Sequence, residues 1–206
     1  NKSREELIQA VNSKVGRIVI DSFHEIALLE EISANAKTKQ DVLIRVSPSV
    51  DPHTHSKTTT GTLDSKFGLS IDTGDAHRAV TAVTNAEHLN LRGLHFHLGS
   101  PIFELEPYSV AIDNVLAYAE KFRKDGLQLT DFSPGGGFAI GYVKEEPPPA
   151  IKEYASVITS MLVAKCDTLG FDKPRLIVEP GRSIIGRAGV ALYTVGVIKN
   201  IPTVKK

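Results

Sequence analysis

Arg175-Leu176-Ile177-Val178-Glu179-Pro180-Gly181-Arg182 sets a carboxylate and a guanidinium where a short apolar strand stops and the backbone turns. Pro180 fixes φ and Gly181 tolerates any φ, so the pair makes the turn. Alone, the stretch also fits an ordinary strand-end turn closed by an ion pair. Working outward, the same pattern recurs at four more strand ends. Arg17-Ile18-Val19-Ile20 runs into Asp21-Ser22, and Val42-Leu43-Ile44 into Arg45-Val46-Ser47-Pro48. Leu91-Arg92-Gly93-Leu94-His95-Phe96-His97-Leu98 runs into Gly99-Ser100. Leu127-Gln128-Leu129-Thr130-Asp131-Phe132 runs into Ser133-Pro134-Gly135-Gly136-Gly137.

The segments between these strands carry apolar residues at helical spacing. One stripe is Phe23, Ile26, Leu29 and Ile32; another is Ala76, Ala79, Val80 and Val83. A third runs through Tyr108, Ala111, Ile112, Val115, Ala119 and Phe122, and a fourth through Ile151, Tyr154, Ala155, Ile158 and Leu162. Ser3 with Glu6 and Ser22 with Glu25 read as capping boxes that open two helices. Strands alternating with helices imply parallel strands joined by right-handed crossovers. Polar and glycine-rich residues gather after the strands, the face where active sites sit in barrels and open sheets alike. The expected protein is an α/β enzyme with one site assembled from five strand ends.

Composition narrows the class. With 206 residues and 41% hydrophobic content the chain can bury one sizeable core, so one domain is expected. Lys plus Arg and Asp plus Glu both number 24, which argues against a nucleic-acid partner. No apolar run reaches the length of a membrane span and nothing reads as a signal peptide, so a cytoplasmic protein with no membrane partner is expected. The lone cysteine, Cys166, excludes an internal disulfide framework and a Cys-rich zinc site. It falls on a predicted helix, as a core or surface thiol. The sequence starts at Asn1, enters a helix within a few residues, and stops just after the strand-like run Val190–Ile198. It reads as an internal piece of a longer enzyme.

The strand ends carry the chemistry. Gly135-Gly136-Gly137 leaves backbone N–H groups unobstructed, a phosphate cradle or simply a flexible turn. Ser100 offers a hydroxyl at a neighbouring strand end and equally fits a helix N-cap. His95 and His97, two apart on a predicted strand, share a face. They suit stacking or hydrogen bonding better than metal binding, because Asp131, a possible carboxylate partner, lies on another strand and no Glu-x-x-His pattern accompanies it. His53 and His55 fall in a long polar stretch, Asp51–Gly61, that reads as a functional loop or a solvated one. A phosphate cradle, a carboxylate, an arginine and a flat imidazole together suggest a flat, phosphorylated, nitrogenous cofactor. Pyridoxal 5′-phosphate (PLP) fits all four, and no metal is expected.

The ordered set Leu94-His95-Phe96-His97-Leu98-Gly99-Ser100, Gly135-Gly136-Gly137-Phe138 and Glu179-Pro180-Gly181-Arg182-Ser183-Ile184 resembles the fold-type III PLP decarboxylases. These act on ornithine, arginine and diaminopimelate. Thr54-His55, the run Thr60-Gly61-Thr62-Leu63-Asp64-Ser65-Lys66-Phe67-Gly68-Leu69, the opening Asn1-Lys2-Ser3 and Val19-Ile20-Asp21-Ser22-Phe23-His24-Glu25-Ile26 point to the diaminopimelate branch. The resemblance covers essentially the whole chain.

The resemblance implies a (β/α)8 barrel followed by a β-domain. Residues 1–188 would supply strands four to eight of the barrel, and 189–206 would enter the first strand of the β-domain. Glu179 would hold the pyridine nitrogen protonated, and His97 would stack on the ring. Ser100, Gly135, Gly136, Gly137, Pro180, Gly181 and Arg182 would bind the cofactor, chiefly its phosphate, with Arg182 also reaching a substrate carboxylate. Arg45 and Lys66 match charged positions lining the site. The Schiff-base lysine would lie upstream of Asn1, and the acid cysteine and further substrate residues beyond Lys206. The implied reaction is decarboxylation of the amino acid meso-2,6-diaminopimelate to L-lysine by a homodimer with sites shared across its interface. A relative acting on ornithine, arginine or carboxynorspermidine, or a non-catalytic regulatory homologue, is the alternative; a metal-dependent barrel hydrolase is more distant. Pro134 and Pro101 depart from the family pattern without removing a chemical group.

Overall fold

In the computed structural model, which describes residues 1–48, 50, 67–124, 127–142 and 147–200, strand and helix alternate along the chain. The order is α1 (Arg4–Asn12), β1 (Ile18–Ile20), α2 (Phe23–Asn35), β2 (Gln40–Ser47), β3 (Leu69–Ser70) and α3 (Asp75–Asn85). Then come β4 (Leu89–His95), α4 (Glu106–Lys121), β5 (Asp131–Gly136), α5 (Ile151–Leu169), β6 (Arg175–Glu179) and α6 (Gly181–Ile185). Every strand pair among the described residues is parallel, in the order β1-β2-β4-β5-β6, with the two-residue β3 beside the end of β2. The α/β class and the parallel sheet are as the sequence implies.

The helical stripes bury largely as their spacing predicts. Ile26, Leu29 and Ile32 of α2, all four marked residues of α3, and Tyr108 through Phe122 around α4 are buried in one core. Three stripe residues are not. Ile151 and Ala155 of α5 and Phe23 of α2 are exposed, the last beneath the Arg78 guanidinium at 5.1 Å. The Ser3–Glu6 capping box is complete. The second is half formed. Ser22 Oγ accepts from the Glu25 N–H, but the buried Glu25 carboxylate accepts from the N–H groups of Asp21 and Lys2 instead.

Three predicted strand boundaries need correction. The fifth strand runs over Asp131–Gly136, where the sequence suggests Leu127–Phe132, so Pro134 and two glycines lie inside it. Its register with β6 shifts between Phe132 and Gly135, the kind of bulge where a sheet tolerates proline. Strand β4 ends at His95, leaving His97 beyond it. The run Val190–Ile198 is not a strand. Pairing needs a neighbour, none is present among the described residues, and Leu192 and Tyr193 are more than nine-tenths or about nine-tenths exposed.

At the start of the strands a charge network shows that the sheet curls. Arg17, just before β1, places Nε 2.6 Å from Asp131 at the start of β5. Two strands intervene, and a flat sheet would separate those positions by about 14 Å. Arg17 also binds Asp41, which is shared with Arg92 and Asn90, and Arg175 donates to Asp131 from the other side. Asp131 is therefore a structural anchor at the opposite end of its strand from the glycines, not a partner for the strand histidines. Its side chain is 2% exposed, so Asp131→Ala would remove a buried carboxylate that two guanidiniums share, although Arg17 keeps Asp41 and the exposed Arg175 keeps water. The full-length protein should lose about 1.5–3 kcal/mol in denaturant unfolding. A loss below about 1 kcal/mol would remove the network from the fold's support.

Candidate active site

The ends of β2, β4, β5 and β6 bring the candidate residues together. Glu179 closes β6, opposite Gly136 in register. Its Oε1 lies 2.9 Å from Nε2 of His95, the last residue of β4, which in turn pairs with Arg45 of β2. The His95 hydrogen bond, with the nearby Arg45 charge adding to it, holds the Glu179 carboxyl below the usual carboxylate range against the opposing effect of burial. Glu179 is thus an ionised carboxylate, half open to solvent.

His97 follows two residues after β4. Burial first, and Arg45 second, lower its basicity, so its ring stays neutral at neutral pH. The Gly136 N–H donates to its Nδ1 at 3.2 Å, which puts the ring hydrogen on Nε2. The glycines of β5 make this seat possible. A Cβ at Gly135, where φ is +72°, would meet His97 Nδ1 at 2.7 Å. At Gly136 it would meet the Glu179 carbonyl oxygen at 2.0 Å, and at Gly137, with φ +94°, the Gly99 carbonyl oxygen at 2.2 Å. Close backbone approach alone therefore demands glycine at all three positions.

Arg182, in α6, donates through Nε to Ser100 Oγ at 2.7 Å, joining the end of β6 to the loop after β4. Its Nη1 meets the Tyr142 hydroxyl. Behind this layer the Tyr108 hydroxyl donates to the Gly136 carbonyl at 2.6 Å, and the Tyr154 hydroxyl to the Ile102 carbonyl at 2.6 Å. These buried phenols fasten the glycine run and the Ser100 loop to α4 and α5.

The structure thus gathers His97, Ser100, Gly135, Gly136, Gly137, Glu179, Pro180, Gly181, Arg182 and Arg45 at one end of the sheet. Lys66, His53 and His55 lie outside the described residues. Cys166 is buried in α5, where desolvation raises its thiol pKa. Two residues make contacts that the sequence did not specify. His95 was paired with His97 by spacing, yet it serves Glu179, 84 positions away. Tyr142 carried no signal beyond following the glycine run. Among the described residues no cluster of three His, Cys, Asp or Glu side chains is arranged to hold a metal.

These residues fit a flat, phosphorylated, nitrogenous cofactor. An ionised carboxylate suits a protonated ring nitrogen, and a neutral imidazole suits a ring face. The backbone is open where an anion would approach, since a Cβ at Gly181 would meet nothing within 4 Å. Ser100 and Arg182, already in contact, supply a hydroxyl and a guanidinium beside that opening.

Residues 1–186 match the family model for the pyridoxal-dependent decarboxylases, pyridoxal binding domain. The chain is 40% identical over 207 residues to the diaminopimelate decarboxylase of Bacillus subtilis (strain 168), covering 100% of this chain and 47% of that protein. It is also 40% identical over 206 residues to the diaminopimelate decarboxylase of Staphylococcus aureus (strain COL), covering 100% of this chain and 48% of that one. Among solved structures, diaminopimelate decarboxylase from M. jannaschii in co-complex with L-lysine matches with a TM-score of 0.80 and 31% identity, over 89% of this chain and 42% of that chain. The chain spans about half the length of the curated relatives it matches.

Proposed function

This chain belongs to the pyridoxal-dependent decarboxylases, and from that premise we propose that the protein containing it converts meso-2,6-diaminopimelate and a proton to L-lysine and CO2. The observation that carries the reading is the ionised Glu179 carboxylate at the end of β6, beside the neutral ring of His97. Identity of 40% to two diaminopimelate decarboxylases supports the substrate.

When bound, PLP supplies an electron sink for the carbanion left by loss of CO2. This chain's residues would bind and tune it. Glu179 would hold a proton at the ring nitrogen, which would make the ring a stronger sink. His97 would lie against the ring face, its own orientation fixed by the Gly136 N–H. The phosphate falls to Ser100, Gly137, Gly181 and Arg182. The N–H groups of Gly135 and Gly136 already donate to Ser133 Oγ and His97 Nδ1, so those two glycines serve chiefly by letting the strands approach. Pro180 fixes the turn that presents Gly181. Arg182 would reach the substrate carboxylate, and Arg45 adds positive charge to the site wall.

In the same reading residues 1–188 belong to the cofactor-binding barrel and 189–206 open the β-domain, within a cytoplasmic homodimer. Among the described residues no helix is long and apolar enough to cross a membrane. The test is CO2 and lysine formation by the full-length protein supplied with PLP. Diaminopimelate should be turned over at least about a hundredfold faster, as kcat/KM, than ornithine or arginine, a discrimination of ~3 kcal/mol. Preference for either monocarboxylate would overturn the substrate assignment.

A further inference from the structure

His95 has the geometry of a residue that works through Glu179. It closes β4, its side chain is 4% exposed, and its Nε2 sits 2.9 Å from Glu179 Oε1. An ionised carboxylate only accepts, so Nε2 carries the hydrogen. The contact spans two strand spacings. It crosses β5 where that strand contributes Gly135 and Gly136 opposite Val178 and Glu179, so neither residue places a side chain in the gap. The other ring nitrogen, Nδ1, is buried and has no hydrogen-bond partner among the described residues. A buried imidazole that leaves one nitrogen unsatisfied is held there by what the other does.

We propose that His95 is a positioning residue: by fixing Oε1 of Glu179 it aims Oε2 at the cofactor's ring nitrogen. This rests on the PLP reading of the site. Among the described residues the charged and titratable groups around the pair are Arg45 on β2 and His97 after β4, and neither hydrogen-bonds to the Glu179 carboxylate. Without His95 the half-exposed carboxylate would rotate among several conformers. Ring-nitrogen binding would then lose its direction.

The test compares affinities of the full-length protein for PLP and for a PLP analogue with carbon in place of the ring nitrogen. Wild type should prefer PLP. His95→Phe keeps a flat ring and removes the donor, so PLP affinity should fall about tenfold or more while analogue affinity stays within about twofold. His95→Gln, whose amide nitrogen sits near the position of Nε2, should recover most of the preference. Combined with Glu179→Gln, His95→Phe should cost no further selectivity. If His95→Phe weakens both ligands equally, or His95→Gln behaves as His95→Phe, the residue only supports packing and the proposal fails. A wild-type protein that binds both ligands equally overturns the ring-nitrogen role of Glu179 itself, and one that binds neither overturns the PLP reading.

Discussion

Glu179→Gln in the full-length protein should still bind PLP, about tenfold more weakly as in His95→Phe, and lose about a thousandfold in kcat at saturating PLP. The substitution keeps the size of the side chain and its place on β6, so binding through the phosphate contacts is spared. A neutral amide cannot favour a protonated ring nitrogen, and withdrawing about 4 kcal/mol of carbanion stabilisation corresponds to roughly a thousandfold in rate. KM for diaminopimelate should change little, because the interaction lost is one that strengthens in the transition state. Turnover within tenfold of wild type would remove Glu179 from the ring nitrogen.

The two glycines on either side of the β5–β6 contact should respond in opposite ways to the same added methyl group. At Gly136 the new Cβ would stand 2.0 Å from the Glu179 carbonyl oxygen, and both atoms belong to strand backbone that has no side-chain freedom to yield. Gly136→Ala must push β6 away from β5, and it displaces Glu179 with it. Overpacking of this kind costs about 3 kcal/mol or more, which lowers Tm by roughly 6–12 °C, and cofactor affinity should fall with it. At Gly181 the Cβ meets nothing within 4 Å, and the residue opens a short helix. Gly181→Ala should leave Tm within about 2 °C of wild type, since alanine is the better helix former. The methyl would instead occupy the space allotted to the phosphate, and PLP affinity should fall about tenfold. Thermal unfolding of the apoprotein and PLP titration separate the two effects. A stable Gly136→Ala protein, or an unstable Gly181→Ala protein, would reverse the roles given to these positions.

Much of this was legible in the sequence because it is local. Periodicity 3.6 marked α2 to α5, and turn residues after apolar runs marked the strand ends. Those ends fell on one face because the crossovers are parallel. The resemblance to PLP decarboxylases then assigned roles to Glu179, His97 and Arg182. What was not legible depends on contacts across the sheet. Ser133-Pro134-Gly135-Gly136 reads as a turn by composition, yet it is strand β5, because the neighbouring backbones come too close for any side chain there. His95 and His97 look equivalent by spacing, but β4 stops between them, so one serves a carboxylate and the other accepts a backbone N–H. Asp131 read as a candidate ligand. Its role appears only when the sheet curls and Arg17 reaches it from beside β1. Exposure of Ile151 and Ala155 has the same origin, because periodicity shows that a helix has a face but not how wide a stripe its neighbours cover.

The most direct measurement is a crystal structure of the full-length protein with PLP bound. The account predicts the ring nitrogen within about 2.7–2.9 Å of Glu179 Oε2, His97 against the ring face, and the phosphate between Ser100, Gly181 and Arg182. A ring nitrogen directed away from the end of β6, or a phosphate seated elsewhere than at Ser100 and Arg182, would contradict it.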